Sequence, residues 1–384
     1  MERARATACA AARGATPLAI RTENARFNAD VNAAELEASL DFSIANKANP
    51  APGPDGFTYA DIGVFRKILM PLALDVWSSR HVTGLPKSWL STNIKPILKD
   101  SDRDPALPSN YRPISLTSSF FKLFSRVVAG RLEPLARNTI NKEQFAFLFD
   151  RDLSDAVSLV IGASSISRSL NAPLALVQVD IARAYDSLSR PYIQQALEAF
   201  GFSERFRSDI GRFFLAPSET RIVSKNRMSE SFIANNGTKQ GDPLSCLLYA
   251  FATAPLFFLA RRLARDAGVC LGFQAAAAWT ANPPIAVQQV DDILIFVSSH
   301  ADMMIWDTAT RIFSFASNQI FDPLKSVVRV VSNPTGSLDQ RHWAALWPTA
   351  AVPPLQKNKS KLFVAFALDG LCLLYTSPSP RDRG

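Results

Sequence analysis

Residues 286–297, with the sequence AVQQVDDILIFV, place two adjacent aspartates, Asp291 and Asp292, between two apolar runs. Both runs are rich in the β-branched and aromatic residues that favour strands. Neighbouring carboxylates repel each other, and each is costly to remove from water unless a cation or a hydrogen-bond donor meets it. The stretch therefore predicts a buried β-hairpin that carries both acids at its joint.

A third aspartate ends another apolar run. In LALVQVDIARAYDSL (174–188) an apolar strand is predicted to arrive at Asp180 and then turn. If this strand and the hairpin belong to one sheet, three carboxylates converge on one point. Mg²⁺ prefers such hard oxygen ligands, and a pair of these ions can assist an in-line phosphoryl displacement. The alternative is that Asp291 and Asp292 form a solvated type I′ turn and that Asp180 caps a helix.

The surrounding elements predict an α+β fold. RPYIQQALEAFGF is typical of a helix with Pro191 in its first turn and Gly201 at its end. In GTKQGDPLS, Asp242 is predicted to be the N-cap and Pro243 the first residue of a long helix. An amphipathic helix is expected near 302–316 and a strand at SVVRVV. Strands and helices mix without strict βαβ alternation.

Composition restricts the class of protein. The net charge of +8 in 384 residues suits a polyanionic partner such as nucleic acid, although many basic proteins bind none. The four cysteines show no C-x-x-C spacing, which favours a reducing intracellular compartment, nucleus or cytoplasm, and argues against secretion. The longest apolar run, 246–260, contains Pro255 and is shorter than a bilayer requires, so we predict a buried helix and no membrane partner.

Together the motifs of residues 34–335 resemble the reverse transcriptase family, most closely the polymerase domains of non-LTR retrotransposons. The resemblance implies the fingers and palm of a right-hand polymerase, with an antiparallel palm sheet that carries a catalytic Asp-Asp hairpin and with the thumb largely missing. Seven segments carry it in order: APGPDGF; WLSTNIKPILKD with SNYRPISLTSSFFKLFSRVVAGRL; NKEQFAFLFDRDLSDAV; VDIARAYDSL; GTKQGDPLS; QQVDDILIFV; and IFDPLKSVVRVV.

The resemblance assigns catalytic roles to four residues. Asp180, Asp291 and Asp292 are expected to bind two Mg²⁺ ions, with Mn²⁺ as a substitute. Lys325 is expected to protonate the departing pyrophosphate, and a strand-edge lysine whose charge reaches the solvent is an equal alternative.

Five further residues are expected to bind substrate. The resemblance implies that Tyr185 lies under the sugar of the nucleotide and leaves no room for a 2′-hydroxyl. Gln240 and Gly241 would border the incoming nucleotide, and Lys99 and Arg112 would contact its triphosphate. A plain turn before a capped helix is the alternative for the Gln-Gly pair, and solvated surface charge is the alternative for the two cations.

The sequence departs from the family pattern in two positions and in extent. Gln289 stands where an aromatic residue is usual, and Ala146 where glycine is common. We expect a fragment of a retrotransposon-encoded protein, without a preceding endonuclease domain. Its predicted segments are a disordered or truncated N-terminal arm (1–32), the reverse transcriptase domain (33–335), a thumb-side remnant (336–370) and a non-native tail (371–384).

The expected partners are an RNA template, a DNA primer and deoxynucleoside triphosphates, with the oligomeric state open. Two other functions are compatible with parts of the sequence. A decayed relict of the same fold would bind nucleic acid without polymerising, and the substitution at Gln289 favours it. An RNA-dependent RNA polymerase would also use clustered carboxylates, and Tyr185 argues against it.

Overall fold

The computed structural model describes residues 1–15, 19–46, 51–224, 227–278, 283–322, 326–334, 336 and 338. These residues form two compact units. The first unit contains the described residues of Met1–Pro17, Ala136–Phe200 and Ala250–Ser377, and the second unit contains those of Leu18–Leu135 and Gly201–Tyr249.

The described residues contain α-helices between Glu2 and Ser317. In order they are α1 (Glu2–Ala15), α2 (Ala19–Asn28), α3 (Ala33–Asn46), α4 (Tyr59–Val64), α5 (Arg66–Ser78), α6 (Arg80–Thr83), α7 (Lys87–Leu90), α8 (Ser119–Thr139), α9 (Leu153–Ser169), α10 (Ala184–Ser187), α11 (Arg190–Phe200), α12 (Glu204–Asp209), α13 (Pro243–Asp266) and α14 (His300–Ser317).

The strands divide between two sheets, one in each unit. In order they are β1 (Thr92–Leu98), β2 (Tyr111–Thr117), β3 (Leu174–Ala182), β4 (Ser218–Ser224), β5 (Arg227–Met228), β6 (Phe232–Ala234), β7 (Ala286–Gln289), β8 (Asp292–Val297), β9 (Ile320–Phe321) and β10 (Val327–Ser332). The sheets are built from antiparallel pairs, apart from the parallel pair β1–β4, and helices do not alternate strictly with strands. The prediction of an α+β fold is confirmed.

The sheet of the first unit has the strand order β10-β3-β8-β7, and the short β9 pairs with the end of β3. β3 is central, since it lies between β10 and β8. Its side chains are buried from Leu174 to Val179, as expected for a strand covered on both faces. On one face, α9 packs against β3, β7 and β8. The residues of this cluster are Ala156, Val160, Ala163, Leu174, Leu176, Phe273, Val287, Leu294 and Phe296.

The sheet of the second unit has the order β2-β1-β4-β5, with β6 on the same β4. β1 and β2 form an antiparallel hairpin from Thr92 opposite Thr117 to Leu98 opposite Tyr111. β2 continues to Thr117, and α8 begins at Ser119.

The segment 1–32, predicted to be a disordered or truncated arm, contains the helices α1 and α2. In the first unit, α1 packs against α11 and α14, where Ala8, Cys9 and Ala12 are buried. Arg5 Nε donates a hydrogen bond to the carbonyl of Ala316 at 3.2 Å, at the end of α14. The buried stripe consists of small residues, so hydropathy gives little sign of it. The predicted remnant at 336–370 and the predicted tail at 371–384 lie outside the described residues, apart from 336 and 338.

The buried helix predicted for 246–260 is α13. Among the described residues it is the one helix that is long and apolar enough to cross a membrane, and 83% of its most apolar stretch is buried inside the protein. A core helix of a folded domain meets the same criteria of length and composition. Its start agrees with the prediction, because Asp242 Oδ1 accepts a hydrogen bond from the Leu244 N–H at 3.0 Å.

Asp302 makes the first unit sensitive to pH. Its side chain is buried and accepts hydrogen bonds from the Ser298 N–H (2.9 Å) and the Ser299 hydroxyl (2.8 Å). Burial raises the pKa of Asp302 to about 6. This pKa exceeds that of Asp302 in the unfolded chain, so folding favours the protonated carboxyl. The contribution of this group to the free energy of unfolding is complete below roughly pH 4 and is lost as the pH rises through about 6.

We therefore expect Asp302→Asn to become more stable relative to the wild type as the pH rises. The difference in free energy of unfolding should change by about 3 kcal/mol between roughly pH 4 and pH 7, since the side chain of the variant does not titrate. Urea denaturation across this range measures it. Asp266→Asn, at an exposed ion pair on the same unit, is the control. Parallel stability curves for Asp302→Asn and wild type would contradict the assignment.

Candidate active site

Asp180 and Asp292 lie directly opposite each other on neighbouring strands of the first unit. β3 and β8 pair antiparallel in a register that runs from Ala175 opposite Val297 to Asp180 opposite Asp292. Opposed residues of an antiparallel pair project from the same face with their Cα atoms roughly 4.5–5.5 Å apart. Both side chains are half-buried. The sheet thus brings together two acids that are more than a hundred residues apart in the chain.

Asp291 lies in the turn of the hairpin beside this pair. β7 and β8 are joined by Val290 and Asp291, with Gln289 opposite Asp292. Val290 has a φ of 60°, and Asp291 is not among the residues of positive φ. A type I′ turn requires positive φ at both central residues, so the alternative of a solvated type I′ turn is wrong. Val290 and its neighbours are also buried or half-buried.

Val290 is strained. A β-branched residue at a φ of 60° is a conformational outlier, with a cost of order 1–3 kcal/mol that the surroundings must offset. Such outliers concentrate at functional sites. The strain lies one residue before Asp291, at the point where the hairpin presents its two acids.

The face that carries Asp180 and Asp292 becomes more polar along the strands. Gln178 precedes Asp180 by two positions on β3, and Gln289 faces Asp292 from β7, so both glutamines belong to this face. Gln178 is almost fully buried, and its Oε1 has no hydrogen-bond partner among the described residues. Away from the acids, the same face is filled by Leu174 and Leu176.

The predicted trio of metal ligands is not assembled into a complete site. No group of three or more His, Cys, Asp or Glu side chains within the described parts of the chain could hold a metal ion. The structure does oppose two carboxylates and places a third in the adjoining turn. This donor set fits Mg²⁺, which is commonly held by one or two carboxylates together with phosphate oxygens of the substrate.

A fourth acid, Asp322, faces Asp180 from the other side. β9 pairs with β3 through Phe321 opposite Ile181, and the Asp322 N–H continues this register by donating to the Asp180 carbonyl at 2.8 Å. Asp322 was not among the residues predicted from the sequence. In the sequence, Asp322 is only an acid after a short apolar stretch. Its place beside Asp180 depends on the register of β9 with β3, which the sequence does not reveal.

Lys325, the predicted acid for pyrophosphate, lies outside the described residues. The nearest described residues are Asp322, which follows β9, and Ser326, which precedes β10. Its expected role stays a prediction.

Tyr185 lies on the short α10 that follows β3. Its side chain is buried, and Arg183 starts the turn with a φ of 51°. Gln319 Nε2 fixes this turn by donating to the Ala184 carbonyl at 3.1 Å and to Ser187 Oγ at 3.0 Å. The sequence thus places Tyr185 five positions after Asp180 within a rigid turn of the first unit.

Lys99 and Arg112 lie together at the end of the β1–β2 hairpin in the second unit. Arg112 Nη1 donates to the Lys99 carbonyl at 3.3 Å, and Lys99 Nζ donates to the Ser109 carbonyl at 2.9 Å. Both side chains are half-buried. The hairpin therefore presents two cations side by side, as binding of a polyanion requires.

Gln240 and Gly241 form a turn against β2 in the same unit. The Gln240 carbonyl accepts a hydrogen bond from the Ser115 N–H at 2.8 Å. Gly241 has a φ of 110°, and a Cβ at this position would lie 3.2 Å from the Ser115 carbonyl oxygen. Only glycine suits both constraints. The turn leads into Asp242, whose pKa is raised by burial although Ser125 donates a hydrogen bond to it.

The sequence is similar to those of known proteins. Residues 97–325 match the family model described as "Reverse transcriptase (RNA-dependent DNA polymerase)". The chain is 26% identical over 247 residues to the Transposon TX1 uncharacterized 149 kDa protein of Xenopus laevis. The aligned region covers 64% of this chain and 18% of that protein.

Two further relatives are polyproteins of R2 elements. The chain is 30% identical over 199 residues to the Retrovirus-related Pol polyprotein from type-1 retrotransposable element R2 of Popillia japonica, covering 52% of this chain and 27% of the relative. It is 26% identical over 264 residues to the R2DM polyprotein of Drosophila melanogaster, covering 66% of this chain and 22% of the relative. The matched regions thus span about a quarter or less of the length of these relatives.

Proposed function

Because the chain belongs to the reverse transcriptase (RNA-dependent DNA polymerase) family, we propose that it catalyses metal-dependent, template-directed transfer of deoxynucleotides to a DNA primer. The R2 and TX1 relatives confirm the resemblance to reverse transcriptases of non-LTR retrotransposons. The observation that carries the proposal is the register that sets Asp180 opposite Asp292, beside Asp291 in the turn.

The two sheets support an assignment of parts. We assign the antiparallel sheet of the first unit to the palm, with β7–β8 as its catalytic hairpin, and the β1–β2 sheet of the second unit to the fingers. The central β3 and the strained turn at Val290 support the palm assignment, since both fix the position of acids. The small share of the relatives that is matched supports a fragment of a longer retrotransposon-encoded protein.

The carboxylates would bind the metal ions. Asp180 and Asp292 would share one face of the sheet with the incoming triphosphate, and Asp291 would contribute from the turn. When bound, two Mg²⁺ ions, or Mn²⁺ in their place, supply activation of the primer 3′-hydroxyl and neutralise charge on the departing pyrophosphate. The protein contributes position and charge, as in phosphoryl transfer generally.

Substrate contacts follow from the resemblance. Lys99 and Arg112 would grip the triphosphate, with Arg112 able to donate two parallel hydrogen bonds. Gln240 and Gly241 would border the base and sugar, where the absence of a Cβ allows close approach of the backbone. Tyr185 would exclude a 2′-hydroxyl.

Lys325 would serve as the general acid for the pyrophosphate. The RNA template and DNA primer would be held mainly by their backbones, so binding should weaken steeply with salt.

Primer extension tests the proposal. The full chain, incubated with an RNA template, a DNA primer and deoxynucleoside triphosphates, is expected to extend the primer in Mg²⁺ or Mn²⁺ and to stop when the metal is chelated. Ribonucleotides should be incorporated about 10-fold less efficiently than deoxynucleotides. The side chain of Tyr185 would reject the added 2′-hydroxyl, and such rejection by an apolar wall is modest. Wild-type activity no greater than that of Asp291→Asn would sink the proposal.

A second candidate, a relict that binds nucleic acid without polymerising, is favoured by two observations. Gln289 replaces the usual aromatic residue, and no group of three metal-ligating side chains is assembled among the described residues. Salt-dependent binding of RNA together with no metal-dependent extension would support the relict. Metal-dependent extension above the Asp291→Asn background would exclude it.

A further inference from the structure

Gln288 is a buried polar residue at the base of the turn that presents Asp291. It is fully buried on β7, and its Nε2 donates a hydrogen bond to the carbonyl of Val290 at 2.8 Å. Only the amide nitrogen suits this contact, since a carbonyl can only accept. The side chain thus holds the carbonyl of the one residue in the turn with a strained φ.

The carboxamide gives little to the stability of the core. Its Oε1 is buried and has no hydrogen-bond partner in the described part of the chain. An unpartnered buried oxygen is destabilising, and its cost offsets the stabilisation that the Nε2 hydrogen bond contributes. The function of Gln288 must therefore lie in the contact made by its Nε2.

The backbone of Gln288 is held from outside the hairpin. The segment 141–151 forms a parallel bridge with β7, in which Gln144 lies opposite Gln288. The Gln288 N–H donates to the Glu143 carbonyl at 2.6 Å, and the Phe145 N–H donates to the Gln288 carbonyl at 2.9 Å. Both backbone hydrogen-bonding groups of Gln288 are therefore held by this segment, on the edge of β7 that faces away from β8.

The segment 141–151 is itself held in place by several contacts. Arg151 donates hydrogen bonds to four backbone carbonyls, those of Arg137, Ile140, Asn141 and Gln144. The carboxylate of Glu143, almost fully buried, pairs with Arg261 from α13. A guanidinium that satisfies several carbonyls and a buried ion pair both resist displacement.

We propose that Gln288 is a positioning residue for the polymerase reaction, a role that rests on the function proposed above. Its carboxamide holds Val290 in the left-handed conformation, and this conformation sets the direction of Asp291 and the start of β8. The segment 141–151 is the support from which Gln288 acts. The reacting carboxylates are thus located by a chain of contacts that starts outside the hairpin.

A double-mutant cycle with Val290→Gly tests the proposal. Gln288→Leu should lower kcat of primer extension by about 10- to 100-fold, the loss expected when a catalytic group shifts by about 1 Å, and should leave KM for deoxynucleotides nearly unchanged. Glycine adopts a positive φ without strain. In the Val290→Gly background, Gln288→Leu should therefore cost about 3-fold or less, since the conformation no longer depends on the carboxamide.

The control is Gln195→Leu. Gln195 lies on α11 and also carries a buried Oε1 without a partner among the described residues. We expect this variant to keep wild-type kcat. Gln288→Leu should also unfold close to the wild-type temperature, because it removes an unpartnered oxygen together with the donor to the Val290 carbonyl, and these two effects oppose each other. Equal losses of kcat from Gln288→Leu in the two backgrounds, or no loss in either, would overturn the proposal.

Hydrogen–deuterium exchange separates this proposal from the polymerase assignment. In Gln288→Leu the amides of 290–292 should exchange faster than in the wild type, while those of β3 stay protected. This result would support positioning even if the wild type extends no primer, in which case only the assigned reaction fails. Unchanged exchange at 290–292 would overturn the positioning role whatever the activity.

Discussion

Asp180→Asn is expected to lower the rate of metal-dependent primer extension by about 10³-fold, while the protein still folds. An amide at this position keeps the size of the side chain and removes the charge that holds a cation. Loss of metal-based charge stabilisation is worth several kcal/mol, and each 1.36 kcal/mol is a factor of ten in rate. Single-turnover extension with saturating primer and template measures the chemical step.

Folding should survive because the amide keeps the size of the side chain and lowers the like charge at this opposed pair. Asp180 lies directly opposite Asp292, and like charges at opposed positions of an antiparallel pair destabilise the sheet. Asp180→Asn removes this repulsion, so its midpoint of thermal unfolding in chelator should equal or exceed that of the wild type. Added Mg²⁺ should raise the midpoint of the wild type more than that of the variant, since a ligand stabilises the state that binds it.

Asp266→Asn provides the matched control for charge removal. Asp266 lies at the exposed end of α13, where it pairs with Arg262 and Arg265 on the surface. Surface pairs contribute little, so this variant should extend primers at the wild-type rate. If Asp180→Asn retained a tenth or more of wild-type activity, Asp180 would not be a metal ligand and the polymerase assignment would lose its central residue.

The parts of the fold that follow from local pattern were predicted from the sequence. The apolar runs on either side of Asp291 and Asp292 predicted the hairpin of β7 and β8, and the apolar run that ends at Asp180 predicted β3. The end of α11 at Gly201, which has a φ of 92°, and the start of α13 at Pro243 follow from the special backbone properties of glycine and proline.

The parts that depend on tertiary context were not predicted. α1 buries Ala8, Cys9 and Ala12, which are too small to produce a strong hydropathy period, and it is helical because α11 and α14 offer a surface for it. Asp322 becomes relevant only through the register of the two-residue β9 with β3. The contact from Gln288 to Val290 depends on the side-chain conformation in the buried turn, and a sequence pattern carries no information on that.

Arg131→Met is expected to destabilise the second unit by about 3–5 kcal/mol, because five hydrogen bonds of a buried guanidinium are lost together and each contributes roughly 0.5–1.5 kcal/mol. Arg131 is buried on α8, and all five of its N–H groups donate hydrogen bonds. Two reach Glu35, at 2.8 and 2.6 Å. Three reach backbone carbonyls in the last turn of α2 and just after it, those of Arg26 (3.2 Å), Ala29 (2.6 Å) and Asp30 (3.0 Å).

The size of this effect comes from the number of groups that lose their partner together. Glu35 is also the third residue of α3 and closes a capping box, since Asn32 Oδ1 accepts from the Glu35 N–H and Glu35 accepts from the Asn32 N–H. Methionine fills the space of the arginine stem but donates nothing, so the carbonyls at the end of α2 and the Glu35 carboxylate would all lose their donor. Arg131→Lys should recover little, because an ammonium has three donors and cannot match the planar fork.

The pH dependence gives a second measure of the same contact. Arg131 lowers the pKa of Glu35, chiefly through the hydrogen bonds it donates. A carboxyl whose folded-state pKa is depressed stabilises the protein above its unfolded pKa, and this stability is lost as the pH falls through the folded-state pKa. The wild type should therefore lose more free energy of unfolding on acidification than Arg131→Met does, as urea denaturation at pH 7 and in acid can measure.

Arg103→Met is the control, since Arg103 pairs with Asp100 on the surface of the same unit. Exposed pairs contribute roughly 0–1 kcal/mol, so this variant should unfold within that range of the wild type and with an unchanged dependence on pH. If Arg131→Met were no more destabilising than Arg103→Met, the end of α2 and the start of α3 would have to be held by their apolar contacts, those of Phe27 and Leu36, rather than by the guanidinium. Glu35→Gln distinguishes the two explanations, because it keeps the capping box and removes only the charge that Arg131 binds.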